Sequence, residues 1–207
     1  MCAVSTSKPG YHHGDLRAAC LTAALELLAE GDESTVSLRA VARRAGVSPN
    51  APYRHYPDKD ALLAAMATRG FHDLRDALIQ AGTHAADEDR FVPMAQAYVG
   101  FGISNPALFG LMFSHPCGRD HPETSAAAAE TMAVLAERVG TVVPADRHDA
   151  FLTGAWALVH GLAALVMDGK LAADDRPALD AMIRSVVQTM LGQVGLGLGL
   201  EAREDAP

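Results

Sequence analysis

The tightest constraint on this chain lies in residues 38–56, where two short helical stretches must meet at a corner. Val41, Ala42 and Ala45 form a small apolar face, Gly46 follows Ala42 by four positions, and Val47 and Ser48 come next. Helices that cross steeply need a small side chain where their backbones approach and a residue that accepts positive φ at the bend. Ala42 and Gly46 meet those two needs. Ser37 is expected to cap the first stretch, which runs to Arg44. Ser48 then caps a second helix with Pro49 at its first position and an end near Tyr56, before Pro57. Val47 is expected to tuck into the core.

The rest of the chain also reads as helix. Leu16, Cys20, Ala24, Leu27 and Leu28 recur at helical spacing over residues 14–30. Asp58 caps a longer stretch to Gly82 that carries Leu62, Leu63, Met66, Leu74 and Leu78. Further helices are expected over residues 91–103, 106–113 (after Asn105-Pro106), 123–139, 147–167 and 177–191. No alternation of apolar and polar residues persists long enough for a strand. An apolar share of 49% against 20% charged excludes a disordered chain. The expected fold is all-α: an N-terminal three-helix helix-turn-helix domain followed by a C-terminal helical bundle, about nine helices in total. The expected division is residues 1–60, a linking helix over about 58–82, residues 83–195, and a frayed tail from 196 to 207.

Charge is unevenly distributed. Residues 37–59 hold Arg39, Arg43, Arg44, Arg54 and Lys59 against Asp58 alone, a net +4 in a chain of −8, which leaves −12 elsewhere. A basic island in an acidic chain restricts any contact with polyanions to the face of that island. Cys2, Cys20 and Cys117 are odd in number and scattered, which argues against a disulfide framework and fits a reducing compartment. No apolar run is expected to approach the ~20 residues that span a bilayer, and residues 1–10 lack the apolar core of a signal peptide. A cytoplasmic protein without membrane contact is expected.

Tyr11-His12-His13-Gly14-Asp15-Leu16-Arg17, Ser37-Leu38-Arg39-Ala40-Val41-Ala42, Gly46-Val47-Ser48 and, most specifically, Tyr53-Arg54-His55-Tyr56-Pro57-Asp58-Lys59-Asp60-Ala61-Leu62-Leu63 resemble the N-terminal domain of the TetR family of transcriptional regulators. The segment Asn105-Pro106-Ala107-Leu108-Phe109-Gly110-Leu111-Met112-Phe113, with Trp156 and His160-Gly161, is similar to a subgroup with a WHG-type C-terminal domain. The resemblance implies a DNA-binding regulator that is a homodimer, reads a pseudo-palindromic double-stranded operator and is a repressor released by a small hydrophobic effector. It implies no enzyme activity, no cofactor and no metal. Carried over residue by residue, Ser48 offers its hydroxyl and a helix start to a phosphate. Pro49, Asn50 and Ala51 face base edges, Asn50 toward an adenine and Ala51 toward a thymine methyl. Tyr53, His55 and Lys59 hold backbone phosphates, Arg54 adds charge, and Ser37 and Arg39 reach the backbone or an outer base. Lys8 lies on an arm that is a candidate for the minor groove. Tyr56 is assigned to the core. Pro52 departs from the aliphatic residue usual at its position and removes an early helical hydrogen bond, so the reading helix is expected to be short or tightened.

In the C-terminal half, the stretch 147–167 is apolar on two sides. Gly154, Ala157, Leu158, Gly161 and Leu165 are assigned to a subunit interface together with Leu179, Met182, Ile183, Val186 and Met190 of the last helix. The opposite side turns inward, where Phe101, Met112, Phe113, Trp156, His160 and Met167 are candidates to line an apolar ligand pocket. The alternative is that both faces close the core of a monomer. His115, Cys117 and His121 match no strong zinc spacing and read as a loop. The competing functions are a helical small-molecule-binding module without DNA binding and an enzyme. No paired acid and base, nucleotide loop or nucleophile elbow supports the latter.

Overall fold

Three side-chain oxygens fix where helices begin. Ser37 Oγ accepts from the Ala40 amide at 3.2 Å, Asp58 from Ala61 at 2.8 Å and Asp175 from Ala178 at 2.8 Å. Each satisfies an amide that the first helical turn leaves without a partner. The computed structural model describes residues 13–83, 91–114, 121–172 and 175–193. The arm with Lys8, the junction at residues 85–90, His115, Cys117 and the C-terminal tail lie outside them.

Among the described residues the fold is helical, with no strand: α1 His13–Glu30, α2 Leu38–Arg44, α3 Lys59–Thr83, α4 Phe91–Ser104, α5 Pro106–Ser114, α6 Pro122–Val142, α7 His148–Met167 and α8 Arg176–Gln193. These are eight α-helices where about nine were expected. The missing one is the reading helix. Residues 48–51 form a turn, and Pro52–Arg54 is a single 3-10 turn. In an α-helix the Ser48 carbonyl would receive the amide of residue 52. Proline has none, and the carbonyl takes Ala51 N–H at 2.9 Å instead. Arg54 to Ala51 (3.2 Å) and His55 to Pro52 (3.0 Å) continue the three-residue spacing.

Gly46 has φ +66°, the only positive φ in the corner, and Val47 N–H reaches the Ala42 carbonyl at 3.0 Å across it. That bond satisfies a carbonyl at the end of α2, as a left-handed glycine cap does. Val47 itself is half-buried.

Two apolar cores share one rod. Leu62, Leu63 and Met66 of α3 join Ala24, Leu28, Val41 and Tyr56 in the first core. Phe71, Leu74 and Leu78 of the same helix join Tyr98, Val99, Ala163 and Ile183 in the second. α5 is shared as well. Leu111 is buried in the first core while Phe109 and Met112 are buried in the second. At the crossing, a Cβ on Gly70 would lie 2.6 Å from Met112 Sδ, so the two helices meet where α3 has no side chain. Buried threonines seal α3 to α6. The Thr131 hydroxyl lies 2.9 Å from the Phe71 carbonyl and 2.8 Å from that of Ala127, and Thr124 donates to the Ala64 carbonyl at 3.1 Å.

One expectation on hydropathy needs correction. Residues Ala145–Met167 are long and apolar enough, by length and composition, to cross a membrane. Thr153, Gly154 and His160 interrupt the apolar run, yet the average over the helix stays high. Only 11% of its most apolar stretch is buried within the subunit.

Gly46→Ala should destabilise the protein by about 1–2 kcal/mol, because a Cβ in the left-handed region is strained whatever space surrounds it. Gly46→Asn should cost less. Urea denaturation of the three proteins measures both effects.

Candidate nucleic-acid interface and apolar cavity

The corner built by Ser37, Gly46 and Pro52 presents a polar edge. Ser37, Arg39, Arg43, Ser48, Pro49, Asn50 and Arg54 are exposed, and Tyr53 is 47% exposed. No carboxylate among the described residues pairs with Arg39, Arg43 or Arg54. Three uncompensated guanidiniums thus surround a hydroxyl-rich turn, an arrangement suited to phosphate oxygens.

Other expected contacts lie differently. Ala51, just before the 3-10 turn, is only 9% exposed. It is not free to meet a thymine methyl, which corrects that assignment. Arg44 is committed to α1 through Glu26 (3.3 Å) and Glu30 (2.8 Å), and the bond from Glu30 holds its guanidinium firmly protonated. Lys59 Nζ donates to the Glu33 carbonyl at 2.8 Å. His55 is half-buried, and its Nε2 is sealed from solvent without a hydrogen-bond partner among the described residues. Tyr56 is 2% exposed and donates its hydroxyl to the Arg17 carbonyl at 3.2 Å, as its assignment to the core requires. Arg43 enters the sequence reading only as one charge of the basic island. Its freedom from pairing is the distinction between it and Arg44, and only the packing of α2 on α1 reveals it.

A cavity of about 640 Å³ opens in the second core. Its walls are Leu78 of α3, Phe91, Met94 and Tyr98 of α4, Leu135 of α6, Phe151, Trp156 and Leu158 of α7, and Val187 and Met190 of α8. Of the six residues expected to line a pocket, Trp156 does. Phe101, Met112, Phe113, His160 and Met167 do not, which corrects that set. His160 is half-buried among aromatic rings. Phe109 stacks on it with centroids 5.3 Å apart, and Phe113 meets it edge-on at 4.6 Å. Met112 is 1% exposed against Gly70.

The cavity wall is tied to His160 through Tyr98. Trp156 Nε1 donates to Tyr98 Oη at 3.3 Å, which leaves the phenol proton for His160 Nδ1 at 3.0 Å. Burial pushes the Tyr98 phenol up to about 12 and pushes the His160 imidazole down, so both stay neutral near neutral pH. Arg147 also lines the cavity and was missed. Its spacing from Phe151, Gly154 and Leu158, at one helical face, was the available signal.

The expected subunit-interface set also divides. Leu179 and Ile183 are 6% and 0% exposed in the subunit's own core, so they have no surface for a partner. The stripe Leu179, Ile183 and Val187 faces α4 instead. Gly154, Leu158 and Met190 border the cavity. Ala157 and Leu165 are exposed and Gly161, Met182 and Val186 half-buried. A Cβ added at Gly154 or Gly161 would meet nothing within 4 Å.

Comparison with known proteins agrees with both halves. Residues 21–66 match the family described as bacterial regulatory proteins, tetR family, and residues 91–190 match the tetracyclin repressor-like C-terminal domain. The chain is 30% identical over 99 residues to an HTH-type transcriptional regulator of Mycobacterium tuberculosis, across 45% of this chain and 42% of that relative; it thus spans under half of that relative's length. A solved protein of unknown function from Rhodococcus sp. RHA1 is 30% identical, covers 91% of this chain and 99% of its own, and superposes with a TM-score of 0.78. A regulatory protein in the tetR family from Rhodococcus RHA1, 21% identical over 84% of this chain and 96% of its own, shares the fold with a TM-score of 0.63. Such proteins regulate transcription and are not enzymes. This chain belongs to the tetR family of DNA-binding bacterial transcriptional regulators.

Proposed function

We propose that the chain is a cytoplasmic, homodimeric repressor that reads a pseudo-palindromic operator and leaves it when a small hydrophobic ligand occupies the cavity. The observation that carries the DNA-reading half is the set of unpaired guanidiniums of Arg39, Arg43 and Arg54 around an exposed turn, in a chain of net charge −8. Residues 1–60 form the reading unit, α3 the link, and residues 83–195 the sensing and pairing unit. Ser37, Arg39, Arg43, Ser48, Tyr53 and Arg54 hold the phosphate backbone, while Pro49 and Asn50 meet base edges. Lys59, committed to Glu33, and His55, with Nε2 turned inward, keep the edge in place.

The pairing half rests on α7. Ala157 and Leu165 are exposed, Gly161 has open space above its Cα, and Met190 on α8 is 52% exposed. Small residues let two helices approach closely, and an apolar face this long is costly in water. A second copy related by a two-fold axis covers it and supplies the second reading edge. Met182, Val186 and Met190 complete the interface on α8.

Asn50→Ala should change which base is preferred at one position of each half-site, at a cost of about 1–3 kcal/mol. Tyr53→Phe should weaken all sequences alike. An anisotropy titration in which neither substitution shifts affinity contradicts the assigned edge. Leu165→Arg should convert a dimer to a monomer in sedimentation equilibrium and abolish operator retardation. A monomeric wild-type chain that still binds the duplex contradicts the pairing.

A further inference from the structure

The cavity walls carry several polar groups, and nearly all of them are spent. The Thr131 hydroxyl donates to the carbonyls of Phe71 or Ala127, at 2.9 and 2.8 Å. Tyr98 Oη is held between Trp156 Nε1 and His160 Nδ1. The lining residue that keeps free hydrogen-bonding capacity is Arg147, in the turn that leads into α7. It is exposed, it is the one charged residue of the lining among the described residues, and no carboxylate among them pairs with it. The remaining walls are aliphatic and aromatic, from Phe91, Met94 and Phe151. The volume, about 640 Å³, falls in the range of roughly 300–1,000 Å³ that small-molecule sites occupy.

We infer that the ligand is an amphiphile with one anionic head group and an apolar tail: a carboxylate on Arg147, with its chain in the cavity. The inference rests on the proposed function, since it names the chemistry of the ligand that the cavity holds. Its physical basis is a division of labour. An apolar tail gains by leaving water for walls that ask for no hydrogen bond. A carboxylate gains by the fork of donors that a guanidinium offers. A cationic head would meet Arg147 with no acid among the described wall residues to offset the repulsion. A neutral head would leave the guanidinium unused.

The single tryptophan of the chain is Trp156, on the cavity wall, so its emission reports occupancy directly. The full-length protein is titrated with decanoate, decan-1-ol and decyltrimethylammonium below their aggregation concentrations, with calorimetry as a second readout. Decanoate should bind about three- to tenfold more tightly than decanol, a range set by the exposure of Arg147, and the cation most weakly. Arg147→Gln should erase the preference for decanoate over decanol while decanol binding persists. Arg147→Lys, which keeps the charge, should retain part of the preference. Added salt should narrow it. A preference that survives Arg147→Gln, or decanol or the cation binding as well as decanoate, overturns the anionic head group and leaves the cavity as a ligand site. Binding of none of the three, by emission or by heat, overturns the cavity reading itself and this inference with it.

Discussion

The close crossing of α3 and α5 at Gly70 is the contact on which the rest of the molecule depends. With no side chain at Gly70, Met112 and Leu108 of α5 lie directly against the α3 backbone. Even a methyl group there would force Met112 to move, and Met112 is packed on all sides. The closeness lets α5 insert Leu111 into the N-terminal core while its neighbours Phe109 and Met112 complete the C-terminal core. α3 does the same along its length, with 25 residues that extend for about 37 Å. Neither core is closed by its own stretch of sequence alone.

That sharing gives the cavity a physical connection to the reading edge. Trp156 on the cavity wall bonds Tyr98, Tyr98 bonds His160, and His160 lies against Phe109 and Phe113 of α5. Two residues beyond Phe109, Leu111 packs into the core that carries Tyr56 and Val41 beneath the exposed turn. Packed interiors shift between discrete arrangements more readily than they deform smoothly. Any displacement of Trp156 would therefore reach α5 before it reached the exposed turn. The Tyr98–His160 hydrogen bond makes that connection without placing a charge in the core.

Much of the scaffold was legible because it is written in short-range chemistry. The caps at Ser37 and Asp58, the left-handed Gly46 and the Asn105-Pro106 helix start are local, and local rules found them. Pro52 announced a tightened reading segment, but the burial of Ala51 could not be read from residue type. What failed was the choice of partner for an apolar stripe. Leu179 and Ile183 have the same periodicity whether they face α4 or a second copy, and only the packing of α8 decides. Trp156 and His160 share a face at four-residue spacing and their rings meet, yet only Trp156 borders the cavity while His160 lies among Phe109 and Phe113. Tyr98 became visible as a site residue only when α4, α6 and α7 were brought together, whereas Arg147 already shared a helical face with Phe151, Gly154 and Leu158.

The central claim is two-fold reading of DNA by the turn at residues 48–54. Selection of bound duplexes from a random pool by the full-length protein tests it most directly, with the stoichiometry of the selected complex measured alongside. The account predicts an enriched inverted repeat whose half-site centres lie about 34–36 Å apart or a multiple of that, with an even number of chains on each duplex. Enrichment of a single asymmetric site bound by one chain, or no enrichment over the starting pool, would contradict it.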